Sequence, residues 1–279
     1  MMDFLNGILQ YGFLCKALTA CILSGILCGI AGTYVVSRRM VFLSGGITHA
    51  SFGGLGIALY LGTNPIIGAM LFAIASSLGI EWATQNGKIR EDSATGIIWG
   101  FGMAVGALFM SLRSGYTSGD LSSYMFGSIV TVTDSDVKAL AILTLLVLAG
   151  AALWLRPVMF VAFDRDYARS QGIHTKLVAY AMSVLLAVVI VLSIRIMGIV
   201  LLISLLTMPV VVANTFSKSY TAITAASAVI AAAASTAGVV ASYMWDLPSG
   251  PAIIFILTAM LLTARCLKAC GKHRTVSRT

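Results

Sequence analysis

Apolar runs long enough to cross a membrane alternate with short polar segments along nearly the whole chain. A helix needs about 20 apolar residues to span the roughly 30 Å hydrocarbon core of a bilayer. Windows of about that length lie at residues 14–37, 44–62, 65–83, 94–112, 138–155, 175–194, 197–214, 220–244 and 250–267. A shorter apolar piece at 121–132 predicts a half-helix or an interfacial turn. The pattern predicts an all-α integral membrane protein, a polytopic bundle of eight or nine transmembrane helices.

The composition excludes an ordinary soluble domain. Hydrophobic residues make up 59% of the 279 positions, charged residues only 10%, and the mean hydropathy is +0.97. The N-terminal stretch lacks a cleavable signal pattern, so we expect the first span to be retained. We expect residues 1–279 to form a single transmembrane domain. Residues 221–241 are nearly all small, and that helix is expected to pack closely within the bundle or against a second copy.

Positive charges are distributed unevenly between alternate loops. With the nine windows taken as crossings, 14 of the 18 Lys and Arg residues fall on one side of the membrane. The other side holds Lys16, Arg113, Lys138 and Arg195. The positive-inside bias makes the first side cytoplasmic, with the N-terminus outside and the C-terminus inside. The net charge of +8 then reflects topology and contact with anionic lipid, and it gives no reason to expect a nucleic-acid partner.

Polar chemistry within the spans is concentrated in one segment, RRMVFLSGGITHASFGGLGIALYLG at residues 38–62. A histidine and closely spaced glycines indicate a helix whose polar face meets protein or a water-filled path, because lipid would penalise that face. The segment is therefore typical of a transport pathway and not of a simple membrane anchor. No Walker A loop or catalytic signature occurs, so we expect no ATP hydrolysis by the chain alone.

A polar island, FDRDYARSQGIHTK at residues 163–176, separates two spans on the predicted cytoplasmic side. Asp164 is the expected N-cap of a short helix and Gly172 its C-cap. Tyr167, Ala168, Gln171 and Gly172 are expected to form one stripe of that helix. The island is either a solvated loop helix or a docking helix for a cytoplasmic partner.

Five motifs follow one another over nearly the whole chain. They are VVSRRMVFLSGGITHASFGGLGIA at 35–58, DSATGI at 92–97, MFGSIVTVTDSD at 125–136, FDRDYARSQGI at 163–173 and MGIVLLISLLTMPVVVAN at 197–214. In this order they resemble the membrane-spanning permease subunits of bacterial ABC importers for zinc, manganese or iron. The resemblance implies a divalent metal ion as cargo, no tightly bound cofactor and a location in the bacterial plasma (inner) membrane.

The resemblance also implies a set of partners. It predicts two permease copies, usually identical, bound to two cytoplasmic ATPase subunits and supplied by an extracytoplasmic metal-binding protein. Residues 163–173 would seat in a groove of the ATPase. The coupling residues would then be Asp164, Tyr167, Ala168, Gln171 and Gly172.

One position departs from the family pattern. The segment before the histidine commonly carries an aspartate one helical turn ahead, at the position that Gly45 occupies in this sequence. His49 then lacks its usual carboxylate partner, and Thr48 and Ser51 would supply only weak oxygen ligands. His49 is either a transient metal contact on the pathway or a neutral core histidine bonded to a backbone carbonyl. Transport is still expected, because a conducting site must bind weakly enough to release its ion.

Two further pairs of residues are candidates for the pathway and its mouth. Pro209, late in a span, frees a backbone carbonyl that could face a cavity, and Met208 could form a soft gate. Core packing around a tolerated kink is the alternative for both. Asp134 and Asp136 either help to receive the binding protein or the ion, or form a solvated turn.

Rival functions depend on other features of the sequence. A secondary transporter usually carries intramembrane acids, and Glu81 is the only candidate. An importer of haem or a metal chelate is a closer alternative. In the basic tail, Cys266, Cys270 and His273 form a C-x3-C-x2-H pattern that falls short of a paired metal-ligand motif.

Overall fold

The computed structural model describes residues 12–87, 89–112, 127 and 132–276. Within these ranges the chain forms helices and no strands. The helices are α1 Gly12–Ser37, α2 Val41–Tyr60, α3 Pro65–Gln85, α4 Glu91–Ser111, α5 Asp134–Phe163, α6 Arg165–Ser170, α7 Thr175–Phe216, α8 Tyr220–Trp245 and α9 Ser249–Val276. All except α6 are long and apolar enough to cross a membrane. The predicted all-α membrane bundle is confirmed, while the predicted half-helix at 121–132 lies almost wholly outside the described residues.

Helix α7 comprises two helical stretches that meet at a kink, and they correspond to the predicted spans at 175–194 and 197–214. Its 42 residues are about twice the number that one span needs. The regular geometry is interrupted at Gly198, where φ is 75° and ψ is 167°, a combination that essentially only glycine adopts. The break lies close to the boundary expected between the windows at 175–194 and 197–214. The sequence placed Arg195 at the end of one span, and the structure has the kink three residues later at Gly198, with helical backbone on both sides.

Short connections between helices are shaped by identifiable residues. Arg39 has a positive φ of 58°, an uncommon conformation for a side-chain-bearing residue, in the turn between α1 and α2. Asn64 caps α3 by accepting a hydrogen bond from the backbone N–H of Ile66 at 3.0 Å. Pro65 then occupies the first helical position, where a missing N–H costs nothing. These turns are too short to add any domain between the spans.

The chain divides into two compact units that are interleaved in sequence. The first comprises Met1–Val36, Ile129–Leu155 and Val200–Thr279 in their described parts. The second comprises the described parts of Ser37–Ser128 and of Arg156–Ile199. Helix α7 contributes to both, with its first part in the second unit and the part from Val200 onward in the first.

Close helix contacts in the first unit depend on small residues. A Cβ atom at Gly29 would lie 2.6 Å from Cα of Ala228 in α8, and one at Gly32 would lie 2.1 Å from the carbonyl oxygen of Leu206 in α7. At Gly238 of α8 a Cβ would lie 2.7 Å from Cα of Ile253 in α9. The small-residue helix α8 therefore packs closely within the bundle, as the sequence predicted.

The second unit holds α2 between two neighbours. Helix α2 packs against both α3 and α4. Towards α3, a Cβ at Gly54 would lie 2.1 Å from the carbonyl oxygen of Gly68. Towards α4, a Cβ at Gly102 would lie 2.6 Å from Cα of Ala50. Glycine thus brings backbones into contact on two faces of the helix that carries His49.

Candidate functional site

Helix α6 is a separate, well-capped element between two membrane-length helices. The Asp164 carboxylate accepts hydrogen bonds from the backbone N–H groups of Asp166 and Tyr167 at 3.0 and 2.9 Å. At the other end, Gly172 has a φ of +77° and donates to the carbonyl of Arg169. The next N–H, of Ile173, donates to the carbonyl of Ala168, which completes a Schellman motif. Both predicted caps are confirmed.

The surface of α6 differs from the predicted stripe. Tyr167, Gln171 and Gly172 are exposed, and Tyr167 also packs edge-on against Phe160 with ring centroids 5.4 Å apart. Ala168, by contrast, is fully buried. The expectation that Ala168 shares the outward face is wrong, because the small side chain lets α6 lie tightly against its own chain. A bulky residue there would lift α6 from the bundle instead of testing a partner surface.

Polar and charged side chains surround the base of α6. A cleft at this position is lined by Gln85, Arg165, Arg169, Thr175 and Lys176. Arg169 donates through Nε to Oγ1 of Thr175 at 3.3 Å, and this bond joins α6 to the first turn of α7. The charge of both arginines is offset locally, since Arg165 pairs with Glu81 and Arg169 lies 3.6 Å from Asp166.

Glu81 is buried beside this helix. Its side chain is 3% exposed, and Oε1 accepts a hydrogen bond from the guanidinium of Arg165 at 3.0 Å. Its other carboxylate oxygen lies 3.9 Å from the guanidinium of Arg38. An acid already paired with two arginines is poorly suited to bind and release an ion, which weakens the case for a secondary transporter based on Glu81.

His49 lies midway along α2, where its imidazole stacks on an indole. The rings of His49 and Trp99 of α4 are 4.4 Å apart between centroids and inclined by only 4°. Phe42 packs on the same indole at 5.7 Å. Stacking occupies the face of the imidazole but leaves both nitrogens, which lie in the ring plane, available at its edge. The geometry fixes the ring while keeping its ligand atoms usable.

The residues around His49 are small and polar. Thr48 and Ser51 are buried, and their hydroxyls donate to the carbonyls of Ser44 and Thr48, each at 2.6 Å. The hydroxyl oxygens keep lone pairs, so they remain weak ligand candidates. Gly45 is buried in the same helix. In the part of the chain that the structure describes, no group of three or more His, Cys, Asp or Glu side chains could hold a metal ion.

The match to a known family covers nearly all of this architecture. A family model described as the ABC 3 transport family matches residues 10–268, which include all of α1 to α8 and most of α9. The chain belongs to the ABC 3 transport family. The family expected from the five sequence motifs is thereby confirmed.

Individual ABC 3 relatives match over almost their full length. The manganese transport system membrane protein MntC of Listeria innocua is 30% identical over 263 residues, covering 94% of this chain and 93% of that protein. The manganese import system permease protein ScaB of Streptococcus parasanguinis is 29% identical over 260 residues, covering 93% and 92%. The structure of PsaBC from Streptococcus pneumoniae in complex with Fab contains a chain with a TM-score of 0.84, 26% identity and 95% coverage of both chains.

The other pathway candidates of this ABC 3 chain lie in the first unit. Pro209 is buried within α7, and Met208 is half-buried with its sulfur 3.9 Å from Oγ1 of Thr258 in α9. The hydroxyl of Thr258 also donates to the carbonyl of Ile254 at 2.8 Å. These contacts show how Met208 packs, and a gating role for Met208 and Pro209 stays a prediction.

The acids at the start of α5 have local partners. Lys16 of α1 lies 2.8 Å from the carboxylate of Asp134. The carboxylate of Asp136 accepts hydrogen bonds from the backbone N–H and hydroxyl of Thr133, at 2.9 and 2.6 Å, an arrangement that caps the helix. Asp134 thus pairs with α1 and Asp136 caps its own helix, and a role of either acid in receiving the ion or the binding protein stays a prediction. In the tail, Cys266 is exposed, while the side chains of Cys270 and His273 lie outside those described.

Two features of the site were missed by reasoning from the sequence. The partner of Glu81, Arg165, is 84 residues away, and the stacking partner of His49 lies on another helix. A signal for the first was present, since a lone acid in an apolar helix requires a cationic partner. No signal in the sequence singled out Trp99 among the aromatic residues.

Proposed function

We propose that this chain is the permease subunit of an ATP-driven importer of divalent transition metal ions, with manganese, zinc and iron as the candidate cargoes. The observation that carries the proposal is the capped and largely exposed helix α6, which lies within the part of the chain that matches the ABC 3 family. A helix of six residues, held by an N-cap and a Schellman motif between two long helices, has the form of a docking element.

The names of the relatives support a metal as the cargo. MntC and ScaB are both described as manganese transport or import proteins, and both match over more than nine-tenths of this chain. His49 could offer a ring nitrogen to an ion, and Thr48 and Ser51 of the same helix could offer only weak oxygen ligands. Such a set suits brief contact with an ion in transit rather than storage of a resident cofactor.

The proposal includes the partners implied by the sequence. Two cytoplasmic ATPase subunits would dock on the α6 helices of two identical permease chains, and an extracytoplasmic metal-binding protein would deliver the ion. The membrane would be the bacterial plasma membrane, with the N-terminus outside. The contacts of Arg38 and Arg165 with one carboxylate support placing the α1–α2 turn and α6 at the same end of the helices.

Reconstitution tests this function directly. Liposomes containing the permease, its ATPase and the metal-binding protein should accumulate labelled manganese only when ATP is supplied on the ATPase side. The permease alone should show no ATP turnover, because it carries no phosphate-binding loop. Parallel assays with zinc, iron, haem and a metal chelate identify the cargo.

Three results would contradict the proposal. ATP hydrolysis by the pure permease would show that the chain itself carries ATPase activity, so its role would not be that of a permease subunit alone. Metal uptake driven by an ion gradient without the ATPase would make it a secondary transporter. Uptake of haem or of a metal chelate, without uptake of any free ion, would show that the cargo is not a free metal ion.

His49 is expected to be required for uptake through its ring nitrogens. His49→Ala removes both the nitrogens and the stack on Trp99, whereas His49→Phe keeps an aromatic ring against the indole and removes only the nitrogens. Both variants should lose most ATP-driven metal uptake while still forming the dimer and binding the ATPase. Initial uptake rates in the reconstituted liposomes give the comparison. Native uptake by His49→Phe would leave His49 with a packing role alone.

A further inference from the structure

A buried charge cluster joins α6 to the ends of other helices in the second unit. Glu81, in the last turns of α3, is at its centre. Arg165 is the first residue of α6 and lies 3.0 Å from Oε1 of Glu81. Arg38, in the α1–α2 turn, lies 3.9 Å from Oε2. The guanidinium of Arg38 also lies 3.9 Å from the carboxylate of Glu91, the first residue of α4.

The two carboxylate oxygens of Glu81 serve different helices. Oε1 faces α6, where it accepts from Arg165, and it also accepts from Nε2 of Gln85 at 2.9 Å. Oε2 faces the other way, towards Arg38 and the hydroxyl of Ser183 in α7, which lies 3.4 Å away. One side chain therefore bridges α6 to the α1–α2 turn and to α7.

Burial makes this bridge stiff. The side chains of Glu81 and Arg38 are 3% and 9% exposed, whereas those of Arg165 and Glu91 are about a third exposed. Buried ion pairs add little net stability, because desolvation offsets their attraction, but removing one partner leaves an uncompensated charge. A displacement of α6 that carried Arg165 away from Glu81 would be resisted, so the carboxylate and its other partners are expected to follow.

We propose that Glu81 is a positioning residue that transmits displacement of α6 to α7 and to the α1–α2 turn, with Arg165 as its link to α6. The inference rests on the proposed function, in which the ATPase moves α6. It assigns to Glu81 a role in coupling ATP hydrolysis to transport, separate from any contact with the ion or with the ATPase.

The link is best tested at Arg165, because this side chain is partly exposed and its loss leaves Arg38 to balance the buried carboxylate. The assay uses the complete transporter in liposomes and measures metal moved per ATP hydrolysed. Arg165→Gln should lose most of the metal moved per ATP, because displacement of α6 is then no longer carried to Glu81. ATPase binding should not change. The melting temperature of the permease should fall only modestly, because Arg38 still offsets the charge of Glu81. Arg165→Lys, which keeps a cation near Glu81, should restore part of the ratio.

Arg169→Gln is the matched control. It removes the same charge from the same helix, but Arg169 contacts Asp166 and Thr175 instead of Glu81. The ratio should stay close to that of the native protein. An equal loss in Arg165→Gln and Arg169→Gln, or no loss in Arg165→Gln, would overturn the proposal. Loss of ATPase binding in Arg165→Gln would also overturn it, since Arg165 would then be a docking residue.

A separate measurement shows whether the proposed docking of an ATPase on α6 is wrong, independently of the coupling role of Glu81. A photocrosslinking residue placed at the exposed position Gln171 of the native transporter should capture the ATPase subunit. Absence of any crosslink would show that α6 is not the docking element, which would remove the basis of the coupling role as well. A crosslink together with unchanged coupling in Arg165→Gln would overturn the Glu81 proposal alone.

Discussion

Gly172→Val is expected to weaken binding of the ATPase by about 5- to 30-fold and to remove most ATP-driven metal uptake, because it strains the turn that ends α6. Gly172 has a φ of +77° and a Cβ there would meet no atom within 4 Å, so the effect comes from the backbone and not from a clash. A left-handed conformation costs a residue with a side chain about 1–2 kcal/mol, and valine is branched at Cβ. The strain lowers the fraction of permease molecules whose α6 is shaped to dock. The apparent affinity for the ATPase falls by the same factor.

Two other glycines in the chain provide controls of the same kind. Gly62 and Gly87 have φ of +68° and +67°, and a Cβ at either would also meet nothing within 4 Å. Gly62→Val carries similar strain at the turn that follows α2, away from α6 in the sequence, and should leave ATPase binding unchanged. Gly87→Val tests whether the ATPase docks instead on the turn after α3, which also lies on the predicted cytoplasmic side.

Pull-down of the ATPase from detergent extracts separates these outcomes. Loss of ATPase binding in Gly172→Val alone supports α6 as the docking element. Loss in Gly87→Val alone would move the docking site to the turn between α3 and α4. Equal loss in all three variants would mean that strained turns destabilise the permease in general, and the docking role of α6 would have no support from this test.

Local signals in the sequence were enough to place the spans and the caps of α6. Asp164 and Gly172 act on backbone groups within a few residues, so their roles can be read from neighbouring positions alone. The apolar windows predicted the long helices for the same reason, since length and hydropathy are local properties. The family followed from five motifs in order, and the family match confirmed it.

Features that depend on contacts between residues far apart in the chain could not be predicted from the sequence. Ala168 was placed on the outward face because a six-residue helix has too few positions to show which side is buried. The kink in α7 lies at Gly198, just past the predicted boundary between two spans, because hydropathy alone does not locate a backbone break. The roles of His49, Met208 and Pro209 in transport stay predictions, since packing geometry alone does not show an ion's path.

Glycine spacing illustrates the same division between local and distant information. The pairs at Gly25 and Gly29, and at Gly102 and Gly106, are each four residues apart and form close helix contacts. At Gly96 and Gly100, which have the same spacing, a Cβ would meet no atom within 4 Å. Glycines four residues apart give a helix face without side chains, but whether another helix packs closely on that face depends on the rest of the fold.

This contrast predicts that Gly102→Val will be strongly damaging while Gly100→Val will not. A Cβ at Gly102 would lie 2.6 Å from Cα and 2.9 Å from the carbonyl oxygen of Ala50. Both are backbone atoms of α2, so no side-chain rotation can relieve the clash and the helices must separate. Overpacking of this kind costs typically about 1–3 kcal/mol, and more where backbone must shift.

The separation would act directly on the candidate site. Ala50 follows His49 in α2, and Trp99 stands three residues before Gly102 in α4, so moving the helices apart opens the 4.4 Å stack between imidazole and indole. Gly102→Val should therefore lower the melting temperature in detergent and remove metal uptake together. Gly100→Val introduces the same side chain two residues away, where nothing lies within 4 Å, and should retain both properties. If Gly102→Val kept native stability and uptake, close approach of α2 and α4 would not be what holds His49 in its working position.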